Sequence, residues 1–188
     1  MRQIICDLDR TILESWDNGY EPRPTPWLEK ILAMGKVIAI ATNQGGIAWR
    51  LAGGRPGKRY PSWPEVEERV LAGMRWTGAR FAFVALHHPG ASVPARDDPI
   101  LWERAEEAGI PWQVLWSIQD RSQVSLSYSE GLIVVSWDPD WRKPSPKMLK
   151  LALSAAGDPR CPCVYVGDED SDRLAAEAAG MEFVDVSS

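Results

Sequence analysis

Four short apolar runs punctuate the chain: QIIC at 3–6, KVIAIA at 36–41, RFAFVAL at 80–86 and CVYVG at 163–167. They are rich in isoleucine and valine and do not alternate with polar residues, which is the pattern of strands buried on both faces. A shorter run, EFVDV, follows near the end. Helix patterns with legible ends lie between them. Thr25 before Pro26 reads as an N-cap with proline at the first helical position, and Gly35 ends that segment just ahead of the second run. Ser145-Pro146 opens and Gly157 closes another helix, whose Met148, Leu149 and Ala152 form an apolar face. SDRLAAEAAG at 171–180 repeats that arrangement before the final run. Strands alternating with helices predict an α/β fold: a Rossmann-like parallel sheet with helices on both faces.

One stretch, residues 87–142, breaks the alternation. A helix opened by Asp98-Pro99 and closed by Gly109 is followed by WQVLWSI, QVSLSY and GLIVVSW, the first two with period-two alternation. The pattern predicts a helix plus a small antiparallel β-meander, inserted in or added to the parallel core. It is expected to act as a cap or pack on that core, to roof the site and to set specificity. Trp112, Trp116, Trp137 and Trp141 are either pocket wall or meander core.

Composition narrows the classes. A chain of 188 residues, 45% hydrophobic and 25% charged, suits one domain with a sizeable core. A net charge of −5 gives no global pull towards nucleic acid or an anionic membrane, so small anionic metabolites fit better than polynucleotides. MRQIICD has no apolar signal region and no run is long enough to span a bilayer, so the chain reads as cytoplasmic. Three cysteines, Cys6, Cys161 and Cys163, offer no disulfide framework, and CPC alone is too little for a structural zinc.

The polar residues that follow the predicted strands carry the chemistry, because ligands bind at the carboxyl ends of strands in an open parallel sheet. After the first come Asp7, Asp9 and Thr11; after the second, Thr42-Asn43-Gln44-Gly45-Gly46; after the third, His87 and His88; after the fourth, Asp168, Glu169, Asp170 and Asp172. Lys143 stands just ahead of a helix. Carboxylates for a divalent cation, a hydroxyl and backbone donors for phosphate and one lysine together point to phosphoryl transfer.

These residues resemble the haloacid dehalogenase (HAD) superfamily of phosphatases, whose pattern is DxDx[TV] after the first strand, Thr or Ser after the second, Lys before a later helix and acids after the fourth. All four elements occur in order between residues 7 and 172. TNQGGIA followed by RKPSPKML is similar to the histidinol-phosphate and heptose-bisphosphate phosphatases and to the phosphatase domain of polynucleotide kinase/phosphatases. The Cys/His zinc loop usual in the small-molecule members is absent, since no cysteine lies between Cys6 and Cys161.

The resemblance implies a Mg²⁺-dependent phosphomonoesterase. Asp7 would be the nucleophile that forms an aspartyl-phosphate, and Asp9 the general acid and then base. Asp7, the backbone carbonyl of Asp9, Asp168 and Asp172 would hold Mg²⁺, and Thr42 and Lys143 the phosphoryl oxygens, with the NQGG amides as further donors. Asn43, Arg55 and Lys58 are added as substrate-binding candidates, the last two from the basic stretch WRLAGGRPGKRY at 49–60, read either as a solvated loop or as a clamp for a second phosphate or carboxylate. Arg10 stands where the family often has glycine, and it, His87 and His88 stay open. The alternatives are a polynucleotide 3'-phosphatase and a phospho-ligand binding module without catalysis.

Overall fold

A computed structural model describes residues 2–186. Seven strands form one sheet: β1 (Gln3–Cys6), β2 (Lys36–Asn43), β3 (Phe81–Ala85), β4 (Gln123–Ser127), β5 (Leu132–Ser136), β6 (Cys163–Gly167) and β7 (Glu182–Asp185). Their order is β4-β5-β3-β2-β1-β6-β7, and every neighbouring pair is parallel except β4 with β5. All four apolar runs are interior strands, as continuous burial on both faces demands. Alternate residues sort to opposite faces: Ile4, Cys6, Ile40, Val84 and Val166 join one apolar cluster, while Ile5, Ala41, Phe83 and Tyr165 join the other.

Helices cover both clusters. Over the first lie α3 (Trp63–Thr77), α4 (Pro99–Glu107) and α5 (Trp112–Asp120), which contribute Val66, Val70, Leu101, Val114 and Leu115. Over the second lie α6 (Lys147–Ala156) and α7 (Asp170–Ala179), through Met148, Leu149, Ala152, Ala175 and Ala176. The shorter α1 (Leu28–Met34) and α2 (Gly46–Leu51) complete the set. No helix among the described residues is long and apolar enough to cross a membrane.

Several expectations are corrected. WQVLWSI is a helix, α5, and not a strand. Its alternation was carried by Trp112 and Trp116, which point to solvent, whereas Val114, Leu115 and Ile118 form the helical stripe that packs inward. With that stretch helical no three-stranded meander exists: the antiparallel element is the β4–β5 pair, and β5 is an interior strand of the main sheet, parallel to β3. Trp137 and Trp141 are core residues, the former donating its indole N–H to the Val114 carbonyl at 2.8 Å. The helix after Thr25 begins at Leu28, because the Thr25 hydroxyl donates to the Thr11 carbonyl at 2.6 Å and so ties down the loop after β1.

The longest helix among the described residues, α3, is announced by no apolar run in the sequence. Its start is encoded all the same: Ser62 and Glu65 form a capping box, Pro64 sits in the first turn, and Gly78 ends the helix with φ 73°.

Candidate active site

β1 delivers Asp7 to the carboxyl edge of the sheet, where its amide donates to the Val166 carbonyl at 2.9 Å and leaves the residue 7% exposed. The chain then turns tightly, with the Ile12 and Leu13 amides both on the Leu8 carbonyl, so that Leu8 is buried and Asp9 faces the cleft. The cleft is about 400 Å³ and includes Asp7, Asp9, Thr42, Asn43 and Lys143 among its walls.

Lys143 is the hub. Its ammonium lies 2.7 Å from Asp7 Oδ1, 2.5 Å from Asp172 Oδ1 and 2.8 Å from the Tyr165 hydroxyl, and the residue is 4% exposed. Burial alone would lower its pKa, but Asp7 and Asp172 overcome that and hold it above the usual lysine value. Asn43 fixes the lysine backbone: its Oδ1 accepts from the Lys143 amide at 3.1 Å and its Nδ2 donates to the Lys143 carbonyl at 3.3 Å. Asn43 therefore works by placing Lys143.

Asp172 is almost wholly enclosed. Oδ1 meets Lys143 and, at 3.2 Å, Tyr165, while Oδ2 accepts from the amides of Asp168 and Glu169 at 3.2 and 3.1 Å. Gly167 makes this possible, since a Cβ there would fall 2.5 Å from Asp172 Oδ2. Asp7, Asp168 and Asp172 each place a carboxylate oxygen within 4.8 Å of the others, a grouping suited to a cation. Asp168 also takes the Arg10 guanidinium at 2.8 Å, and Arg10 pairs with Glu169 as well. Burial pushes Asp7 up to about 8, with Lys143 opposing and Asp172 and Asp9 adding repulsion. Burial likewise raises Asp168, against the pull of Arg10.

Asp9 is held from three directions. Oδ2 accepts from Gln44 Nε2 at 2.7 Å and Trp16 Nε1 at 3.2 Å, and Oδ1 accepts from Arg69 at 2.6 and 3.2 Å. Gln44 Nε2 also donates to the Thr42 hydroxyl at 3.1 Å, which leaves that hydroxyl's own proton free to donate. Arg69 comes from α3 and is fully buried. Its helix approaches closely because of Gly73, where a Cβ would stand 2.6 Å from Leu8 Cδ1.

Two candidates lie elsewhere. Arg55 stacks over Trp49 at 3.9 Å, outside the cleft walls, and Lys58 lines a neighbouring groove. His88 lines the cleft and accepts from the Gly90 amide at 3.0 Å, whereas His87 does not line it. The roof expected from residues 87–142 comes instead from Trp16, Asp17, Tyr20, Arg59 and Pro61, since only His88 and Arg142 of that stretch reach the cleft. Arg69, Tyr165 and Trp16 are the contributors that motif reading passed over, and Gln44, expected to offer its backbone amide, acts through its side chain. The signal for Arg69 is an arginine three residues after Val66 and beside Val70, on the stripe α3 buries.

The family described as HAD-hydrolase-like matches residues 140–188, which is the segment that carries Lys143, Asp168 and Asp172. No curated protein matches the chain. A crystal structure from Mesorhizobium loti named as a HAD-like phosphatase shares the fold with a TM-score of 0.53 and 21% identity, over 96% of this chain and 69% of that one. The chain is thus similar to HAD-like hydrolases in sequence over residues 140–188, and similar in fold to that structure over nearly its whole length.

Proposed function

We propose that the protein is a phosphomonoesterase that hydrolyses a small phosphorylated metabolite through an aspartyl-phosphate on Asp7. The observation that carries this reading is the fixed triangle of Lys143 with Asp7 and Asp172, opposite an Asp9 held by Gln44, Trp16 and Arg69. Lys143 occupies Asp7 Oδ1, which leaves Oδ2 to attack phosphorus in line. Asp9 gives its proton to the leaving oxygen as the ester P–O bond breaks. It then takes a proton from water, whose oxygen attacks the phosphorus and releases Asp7 and inorganic phosphate. The Thr42 hydroxyl donates to a phosphoryl oxygen, and the Lys143 ammonium, whose three protons face Asp7, Tyr165 and Asp172, offsets the phosphoryl charge.

The donor set suits a hard divalent cation, being carboxylate and carbonyl oxygens only. Asp7, Asp168 and the Asp9 carbonyl would hold Mg²⁺, which when bound neutralises phosphoryl charge and favours ionised Asp7. Asp172 supports this set from behind, because both its oxygens are already engaged with Lys143, Tyr165 and two amides.

The walls describe the rest of the substrate. Trp16 and Tyr20 offer an aromatic side. Arg142 offers a charge: it is partly buried, it donates to the His87 carbonyl at 3.4 Å, and among the described residues no carboxylate forms an ion pair with it, although Glu169 across the cleft wall attracts it from farther off. A leaving group with an apolar or planar body and an acidic end fits this cleft. The test is release of phosphate from a panel of metabolite monoesters and a 3'-phosphorylated oligonucleotide, with Mg²⁺, beside Asp7→Asn. Release abolished by Asp7→Asn is expected; equal release by the variant would defeat the mechanism.

A further inference from the structure

A second groove of about 510 Å³ adjoins the cleft, with Arg50, Lys58, Arg59 and Arg104 around it and Glu107 as its one carboxylate. This concentration of cations is set in a chain whose net charge is −5. The groove joins residues far apart in sequence. Arg50 lies in the last turn of α2, Lys58 and Arg59 come from the loop that follows, and Arg104 comes from α4.

The arginines are held rigidly, but by carbonyls. Arg50 donates to the Tyr60 carbonyl at 2.9 Å and the Glu107 carbonyl at 3.5 Å, and Arg104 Nη1 donates to the Leu51 carbonyl at 2.9 Å. Among the described residues no carboxylate forms an ion pair with Arg50, Lys58 or Arg104, although Arg59 pairs with Glu65. Capping α2 uses one nitrogen of Arg104 and leaves its other donors. Gly53 keeps that guanidinium uncovered, since a Cβ there would lie 2.9 Å from Arg104 Nη2. Anchored guanidinium forks beside a free ammonium are built for a dianionic oxyanion, and carbonyl anchoring leaves their charge uncompensated.

We infer that this groove is a second phosphate site, distinct from the one where hydrolysis takes place. Arg59 lines both spaces, so a bound phosphate lies next to the reaction cleft. It belongs either to a second phosphate on the substrate itself or to a separate phosphate-bearing molecule, and the chemistry of recognition is the same. The site does not depend on turnover in the cleft.

The test is titration of the full chain with inorganic phosphate, followed by the amide resonances of Gly53 and Gly54 for the groove and Gly45 and Gly46 for the cleft. The groove signals should shift along a saturation curve of their own. Lys58→Gln, at an exposed residue, should weaken that curve several-fold, and Lys58→Gln with Arg104→Gln should remove it while the cleft curve stays. Groove signals that do not move, or that move with the wild-type midpoint in Lys58→Gln, overturn the inference even if the double variant fails to fold. A bisphosphate and a monophosphate ester then separate the sources. Loss of bisphosphate preference in Lys58→Gln assigns the phosphate to the substrate; unchanged preference with lost phosphate binding assigns it to a separate molecule, and both uphold the site.

Discussion

Arg69 reaches Asp9 from inside the core: its Nη2 and Nε lie 2.6 and 3.2 Å from Asp9 Oδ1, no part of the arginine is exposed, and its Nη1 has no hydrogen-bond partner. Nη2 also donates to the Glu14 carbonyl, and the guanidinium lies 4.3 Å from the Trp16 ring. A buried charge with an unsatisfied nitrogen is a poor stabilising device. Its position makes sense as a support that fixes the rotamer of Asp9, together with the turn from Asp9 to Glu14.

Replacing Arg69 should therefore cost more activity than stability. Arg69→Met fills similar volume and removes the orphaned nitrogen, so the loss in stability is expected to be about 1 to 3 kcal/mol from the unpaired Glu14 carbonyl and the weakened hold on Asp9. Misplacing an acid by about 1 Å can cost about 10²-fold in rate, and the loss should fall on kcat with KM little changed. Arg69→Lys should recover part of it. Steady-state kinetics beside thermal unfolding decides: equal kcat in wild type and Arg69→Met would mean that the arginine only braces the fold.

Asp168 and Asp172 should separate in their effect on metal binding. Asp168 faces the cation position with Arg10 as its competing partner, whereas both oxygens of Asp172 are spent on Lys143, Tyr165 and the 168–169 amides. Calorimetric titration with Mg²⁺ should show the larger loss of affinity in Asp168→Asn. Asp172→Asn should bind the ion more nearly as wild type yet turn over slowly, since Lys143 loses its second carboxylate. The reverse order of affinities would return Asp172 to the ligand set.

How much of this was readable beforehand depends on range. The strand-end acids and Thr42 were legible because an apolar run ends and a polar group comes next, and Lys143 because a lysine and proline stand just ahead of a helix pattern. The interior strands were legible for the same reason. The partners of Asp9 were not, because Arg69 lies 60 residues away and reaches it only when α3 settles on Leu8 through Gly73. The strand expected over WQVLWSI shows the opposite hazard. Its two exposed tryptophans gave a period-two signal that packing did not use. Of the basic stretch Arg55 and not Arg59 was the candidate, and the course of the loop reverses them: Arg55 stacks on Trp49, while Arg59 lines the cleft.

Arg142 should discriminate among substrates. A guanidinium at the cleft wall that forms no ion pair among the described residues, with only the more distant Glu169 attracting it, gains from an anionic end on the leaving group. Arg142→Ala should raise KM about tenfold or more for a monoester that carries a second acidic group, the size expected when a charge-assisted hydrogen bond is lost. It should change KM little for p-nitrophenyl phosphate. Equal effects on both substrates would place the arginine's role at the transferred phosphoryl group instead.

Metal affinity should depend on pH through Asp7. Burial pushes this carboxyl up to about 8, and a cation binds its ionised form, so below that pH each ion bound must displace a proton. The sign follows: affinity rises with pH, by about one log unit per pH unit between about pH 6 and 8, and levels off above. Asp7→Asn removes the main titrating group, so its weaker affinity should depend less on pH over the same range, with Asp168, also raised by burial, the ligand left to titrate. Lys143 stays charged throughout, its pKa being held above the usual lysine value by the same two carboxylates, and so adds no slope of its own. Mg²⁺ titrations of both proteins across that range are the check, and a wild-type affinity independent of pH would mean that Asp7 is already ionised before the cation arrives.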